Sequence, residues 1–314
     1  MSFQNLRIID FHAHFPLGWG RRPDTHKLLR EYNRERSVRF RREWDFPEPE
    51  TASATREEMA VRWAAELDAK GLDLVVFMTG GGNSSLAETV RLHPDRFAGF
   101  AHHDLAAPDA LAQLKQAVEE MGLRGYKLLA PRLTVTFDEP RLRPVWEYMA
   151  ERRLPLLIHF GLLGTGGGIV SHPLINPLSI FNVAHEFPEI PVIVPHFGCG
   201  YWQELLQLAW SCPNVYVDTS GSNQWMRWMP YELTLESAFR KAYETIGPER
   251  ILFGTDSSWF PRGFAYRYLQ DQVRICRWLA MKEEDIQAIF GRNAARLLGL
   301  TWPVRNAVPP GGRE

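Results

Sequence analysis

Eight short, largely apolar runs, each followed by a segment of helical length, constrain this chain more than any other feature. The runs lie at 8–14, 72–78, 97–102, 124–129, 154–160, 190–195, 215–219 and 250–254. Most are continuously apolar rather than alternating, the pattern of parallel strands covered on both faces. Helical segments follow at 56–70, 84–92, 107–121, 139–152, 176–187, 202–211, 233–246 and 265–279, with one more at 282–298. In the first of these Met59, Trp63 and Leu67 recur every four residues and Gly71 closes the helix. The alternation predicts an α/β chain folded as a (β/α)8 TIM barrel, in one domain over 1–303. A long insertion at 15–55 follows strand one, and extra C-terminal helices close the chain. An open doubly wound sheet would want a Gly-x-Gly-x-x-Gly turn after strand one, which is missing. The stretch 304–314, with Pro309, Pro310, Gly311 and Gly312, reads as a loose tail.

Composition narrows the partners. The 314 residues carry a net charge of −1, which argues against a general binder of nucleic acid or membrane surfaces. Cys199, Cys212 and Cys276 fit no zinc or disulfide spacing, as expected in a reducing compartment. No run of 18 apolar residues exists and strand one leaves no room for a leader, so a cytoplasmic protein is expected. The 15–55 insertion is rich in arginine, nearly balanced by acids. It reads as a solvated helix and loop, or as a lid offering an arginine to an anionic substrate.

Polar residues gather where a barrel would place its active face, at the C-terminal ends of the strands. Strand one ends in Asp10-Phe11-His12-Ala13-His14, where strict alternation would put Asp10, His12 and His14 on one face and Ile9, Phe11 and Ala13 on the other. Lys127 lies late on strand four, His159 ends strand five, His196 ends strand six and Asp256 follows strand eight. Each stands just after an apolar run, where a residue meant only for packing would be apolar. Imidazoles and a carboxylate converging on one rim suit a divalent transition metal. Cys199 reads as a packed thiol, and the glycine-rich 164–168 as a flexible loop rather than a phosphate loop.

These motifs, with Gly125-Tyr126-Lys127-Leu128, Pro155-Leu156-Leu157-Ile158-His159-Phe160-Gly161, His196-Phe197-Gly198, Leu252-Phe253-Gly254-Thr255-Asp256 and Asn293-Ala294-Ala295-Arg296-Leu297-Leu298, resemble the amidohydrolase superfamily. The resemblance is to its amidohydrolase-related branch, which includes aminocarboxymuconate-semialdehyde decarboxylase. It implies a metal held by His12, His14, His159 and Asp256, with His196 and Asp256 as the catalytic acid–base groups. One Zn²⁺ is expected, with Mn²⁺ as the alternative. A binuclear site bridged by carboxylated Lys127, as in other members, is the second choice. Asp10 is expected to support the site rather than ligate. Lys127, His172, Trp259 and Arg262 are candidate contacts for a small-molecule substrate, and Arg132 is a further candidate carboxylate grip. Trp202, Trp225, Trp228, Trp259 and Phe260 follow strands six to eight, where they would wall a pocket for a ring. The resemblance implies hydrolysis of a C–N or C–O bond, with non-oxidative decarboxylation of an aromatic or unsaturated acid as the alternative. A metal-free binding barrel is the reading from another class. Homodimers are common in the branch.

Overall fold

The computed structural model describes residues 6–17, 26–50, 54–162 and 173–302. His172, the 164–168 loop and the 304–314 tail lie outside the described residues. The strands are β1 (Ile9–Ala13), β2 (Leu74–Phe77), β3 (Phe97–Gly99), β4 (Tyr126–Leu129), β5 (Leu156–His159), β6 (Val192–Val194), β7 (Val215–Asp218) and β8 (Ile251–Leu252). They pair in parallel as β1-β2-β3 and β4-β5-β6-β7-β8. Backbone bonds join the two groups at both seams. Ala101 N–H donates to the Gly125 carbonyl at 2.8 Å, and Lys127 N–H to the Ala101 carbonyl at 2.7 Å. On the other side Phe11 N–H donates to the Phe253 carbonyl at 2.9 Å, and His14 N–H to the Ser257 carbonyl at 2.7 Å. The result is the expected TIM barrel.

Helices cover its outer face. They are α1 (Lys27–Trp44), α2 (Arg56–Lys70), α3 (Asn83–Leu92), α4 (Ala110–Glu119), α5 (Arg143–Glu151), α6 (Phe181–Glu186), α7 (Trp202–Ser211), α8 (Leu235–Ile246), α9 (Tyr266–Trp278), α10 (Glu283–Gln287) and α11 (Asn293–Leu297). Thr55 and Glu58 form a capping box that starts α2, and Gly71 ends it at φ 69°. The helix expected at 176–187 is split into a 3₁₀ turn, Pro177–Ile180, and the short α6. The one expected at 282–298 is interrupted by a π-helical turn, Ala288–Arg292. There the Ile289 carbonyl accepts from Phe253 N–H at 3.0 Å, so the widened turn terminates β8.

Two apolar layers follow from the strand period. Val75, Phe77, Ile158, Val194 and Val217 pack outward against helix residues such as Trp63, Leu205 and Phe239. Ile9, Phe11, Leu74, Val76, Leu157, Ile193 and Leu252 fill the barrel interior, and Ala294, Ala295 and Leu298 from the C-terminal end plug it. One sequence expectation is corrected here. The β1–β2 register slips between Asp10 and Ala13, a bulge, so Ile9 and Phe11 join the inner layer while Ala13 joins the outer one. Alternation therefore does not hold through the Asp10–His14 stretch. In the 15–55 insertion, α1 buries no residue, as a solvated helix should. Among the described residues no helix is long and apolar enough to cross a membrane.

Candidate metal centre

The bulge delivers His12 and His14 together at the barrel rim. Their Nε2 atoms lie 3.3 Å apart. Asp256 Oδ1 lies 3.1 Å from His14 Nε2 and 3.8 Å from His12 Nε2. Donor atoms of the three side chains all fall within 4.8 Å of one another, close enough to share one ion. Two metal–nitrogen bonds of about 2.1 Å at a tetrahedral angle separate their nitrogens by about 3.4 Å, close to the spacing of the two imidazoles.

Each imidazole is oriented by its other nitrogen. His12 Nδ1 lies 2.6 Å from Asp218 Oδ2, both side chains fully buried. His14 Nδ1 lies 2.8 Å from Thr79 Oγ1. A carboxylate only accepts, so His12 carries its proton on Nδ1 and turns the Nε2 lone pair toward the cluster. Burial, followed by the charges of Lys127 and His196, holds the His12 imidazole well below its usual pKa, so it is neutral and fit to ligate. Burial alone would raise Asp256. The hydrogen bond from His14 and the surrounding imidazoles outweigh it, and the carboxyl stays well below the usual range.

Asp218 was absent from the sequence reading, as were Thr79 and Ser220. Asp218 had the same signal as the others, a polar residue closing an apolar run, here Val215-Tyr216-Val217. Its carboxyl is pushed up to about 6 by burial, and its Oδ1 accepts from Ser220 N–H at 2.6 Å. Ser220 also bridges inward, with Oγ 3.2 Å from His12 Nδ1 and 2.9 Å from His196 Nδ1.

The other sequence-selected residues divide. Asp10 stays outside the ligand cluster and pins the β8 exit, accepting from Thr255 N–H at 2.9 Å and Thr255 Oγ1 at 2.5 Å. Burial raises its carboxyl to about 7. His196 sits over the cluster, its ring centroid 5.0 Å from that of His12 and 5.0 Å from that of His159. Its Nδ1 is 3.1 Å from the Ser220 carbonyl, which can only accept, so Nδ1 carries a proton. His159 lies on the same rim, with Nε2 engaged by the Leu162 carbonyl at 2.8 Å rather than within the three-residue group. Lys127 is fully buried, and burial lowers its ammonium to about 8. Cys199 is raised to about 12 by burial, as a packed thiol should be. Arg132 is exposed. Trp259 and Arg262 lie beyond Asp256, where the guanidinium sits 5.6 Å from the Trp259 ring centroid.

A parallel (β/α)8 barrel with a His-His-Asp group that could share one ion, at the C-terminal ends of its first and last strands, places its candidate site on the face where barrels of this class carry theirs. Residues 9–300 match the Amidohydrolase family, and the chain belongs to it. It is an enzyme of the amidohydrolase superfamily. A curated relative, the gamma-resorcylate decarboxylase of Rhodococcus jostii (strain RHA1), is 25% identical over 221 residues, 55% of this chain. The chain spans 64% of that relative's length. Among solved structures, an uncharacterized TIM-barrel protein of Bordetella bronchiseptica superposes with a TM-score of 0.67 at 25% identity, covering 94% of this chain and 99% of the other. The 5-carboxyvanillate decarboxylase of Novosphingobium aromaticivorans, complexed with manganese and 4-hydroxy-3-methoxy-5-nitrobenzoic acid, gives 0.62 at 18% identity over 96% of this chain and 98% of its own.

Proposed function

We propose that the chain is a metal-dependent, non-oxidative decarboxylase of a small ring-bearing carboxylic acid, and that His12, His14 and Asp256 hold one divalent ion, Zn²⁺ or Mn²⁺, with His159 joining on its remaining side once its Nε2 exchanges the Leu162 carbonyl for the ion. The observation that carries this reading is the charge balance of the pocket. A bound divalent ion would add to the buried Lys127 ammonium, which the carboxylates of Asp256 and Asp218 act on, and the site would then be net positive and favour an anion. The relatives named as decarboxylases support the same substrate class. The bound ion would supply a Lewis acid that orients and polarises an acidic substrate.

The chain's own groups do the rest. Lys127 holds a carboxylate or phenolate oxygen by charge. His196 takes or returns a proton at that substrate oxygen through Nε2. Protonation of the carboxyl-bearing ring carbon, with a solvent proton relayed by His196, forms the C–H bond from a ring π pair, and as CO₂ leaves the pair of the broken C–C bond returns to the ring. Trp259 offers an aromatic wall for the ring. The insertion after β1 is tied to the segment after β8, with Glu50 N–H donating to the Phe260 carbonyl at 2.9 Å. Hydrolysis of a C–N or C–O bond is the second reading, favoured by the Nε2 of His196 beside the ligand cluster, where a base for water would stand.

Metal-loaded protein incubated with hydroxybenzoates should release CO₂ and give products one carboxyl shorter. His12→Ala and Asp256→Asn should abolish this. Turnover of lactones or amides with no CO₂ from any acid would favour hydrolysis instead. Tight ligand binding with neither metal nor turnover would leave a binding barrel.

A further inference from the structure

Asp256 reaches the ligand cluster from an unfavourable backbone. It lies at φ 59°, in the left-handed region that non-glycine residues rarely adopt. Something must hold it there. On one side its N–H donates to the His12 carbonyl at 2.7 Å. On the other, Arg262 Nη2 donates to the Asp256 carbonyl at 3.1 Å and to the Thr255 carbonyl at 3.3 Å. Two successive carbonyls thus converge on one guanidinium nitrogen, a donor that Asp256 would lack if Arg262 were turned outward.

Arg262 is itself held in place. Its guanidinium carbon lies 5.2 Å from the Phe46 ring centroid, 5.6 Å from Trp259 and 5.8 Å from Tyr268. The three rings form an aromatic cage that favours a cation by their quadrupoles. Its Nε is buried without a partner, so the cage and the two carbonyls, rather than a set of ion pairs, fix the head. Trp259 and Tyr268 belong to the segment after β8, but Phe46 belongs to the insertion. Phe46 is in turn set by Trp44, whose ring stacks on it at 6.3 Å and meets Tyr268 edge-on at 4.8 Å. The Arg62 guanidinium ties the same stretch down, its two nitrogens 2.7 and 2.8 Å from the Glu50 carboxylate oxygens.

The geometry points to Arg262 as a positioning residue for the metal ligand Asp256, caged by Phe46, so that the insertion after β1 tunes the metal site from behind. This rests on the metal-site reading above and extends it, since it gives the insertion a role other than a lid and gives Arg262 a role other than gripping substrate. Lysine can reach a carbonyl but has no planar guanidinium to lie among three rings, so the two cations are not equivalent here.

Metal affinity and coordination geometry test it without recourse to turnover. Apo protein and the variants Arg262→Met, Arg262→Lys and Phe46→Ala would be titrated with Zn²⁺ against a chromogenic chelator, and with Co²⁺ while its visible absorption is recorded. Arg262→Met should weaken Zn²⁺ binding by about 10- to 100-fold and alter the Co²⁺ band. Arg262→Lys should recover part of the loss. Phe46→Ala, which changes only the insertion and keeps the barrel intact, should weaken binding in the same direction by a smaller factor. Unchanged affinity and spectrum in all three variants, with KM for an acidic substrate raised and kcat kept, would overturn the inference and return Arg262 to the substrate. Wild-type protein that takes up no divalent ion would defeat the metal reading itself, and this inference with it. Wild type that binds while the variants bind equally well defeats this inference alone.

Discussion

At the scale of single residues, the partner of a ligand matters nearly as much as the ligand. Asp218 fixes the His12 tautomer from 2.6 Å inside the barrel, where no water competes. Asp218→Asn keeps the shape but replaces an acceptor pair with one acceptor and one donor. A donor turned toward Nδ1 would favour the wrong tautomer, so metal affinity should fall by about 10- to 100-fold in a chelator competition. Affinity kept at the wild-type value would mean that Ser220 Oγ, 3.2 Å from the same nitrogen, suffices. His102 gives a pH prediction away from the ligands. Burial lowers it to about 4, and its Nδ1 lies 3.0 Å from the Lys127 carbonyl. Between that value and the ordinary 6.5, the unfolded chain binds the extra proton, so stability rises with pH across this window and is lost as pH falls through it. Denaturant melts at pH 7 and pH 4 should show wild type losing about 3 kcal/mol more than His102→Gln. Equal losses would place the acid sensitivity elsewhere. His102 was legible as a strand-end histidine, but its inward aim was not, because sequence does not say which of His102 and His103 turns to the rim.

Elements show where sequence patterns stop being sufficient. The eight apolar runs revealed the strands because parallel strands must be buried on both faces. The bulge in β1 was invisible, since Ile9-Asp10-Phe11-His12-Ala13 fits a period of two equally well without it. Only the partner strand reveals that three residues of β1 span two of β2. The turn after β6 was hidden for a similar reason. His196, Phe197, Gly198, Cys199 and Gly200 all have positive φ, from 46° to 100°, although three of them are not glycine. This left-handed run aims His196 at the cluster, and it leaves the Cys199 carbonyl hard against Gly161. A Cβ on Gly161 would stand 2.2 Å from that oxygen, and φ there is 69°. Gly161→Ala should therefore cost about 2–3 kcal/mol in urea unfolding, from strain and overpacking together. It should also shift the His159 and His196 ring resonances. A silent substitution would show that the 196–200 turn yields easily, and that its strain does not serve the site.

On the scale of the whole molecule, the centre lies on the seam that closes the barrel. His12 lies on β1 and His14 directly follows it, while Asp256 follows β8, more than 240 positions later in the chain. Between these edges the backbone bonds are few, and the donors include Phe11, His14 and Asp256. Sequence order could place both strands in one ring but could not show that the proposed ligands straddle its joint, because closure depends on shear and tilt that no local pattern encodes. An ion shared by β1 and the β8 exit would clip the longest loop in the fold, and binding it only in the folded state adds about 2.7 kcal/mol at one hundred times Kd. The gain should be local as well as global. Hydrogen exchange on apo and Zn²⁺-loaded protein should slow the amides of Phe11, His14 and Asp256 more than those of Ile193 and Val217, which lie in the continuous five-strand sheet. Slowing spread evenly over all eight strands would mean that the barrel opens only as a unit and that the ion merely raises its overall stability. No slowing at the seam, with the ion demonstrably bound, would place the ion elsewhere than between His12, His14 and Asp256.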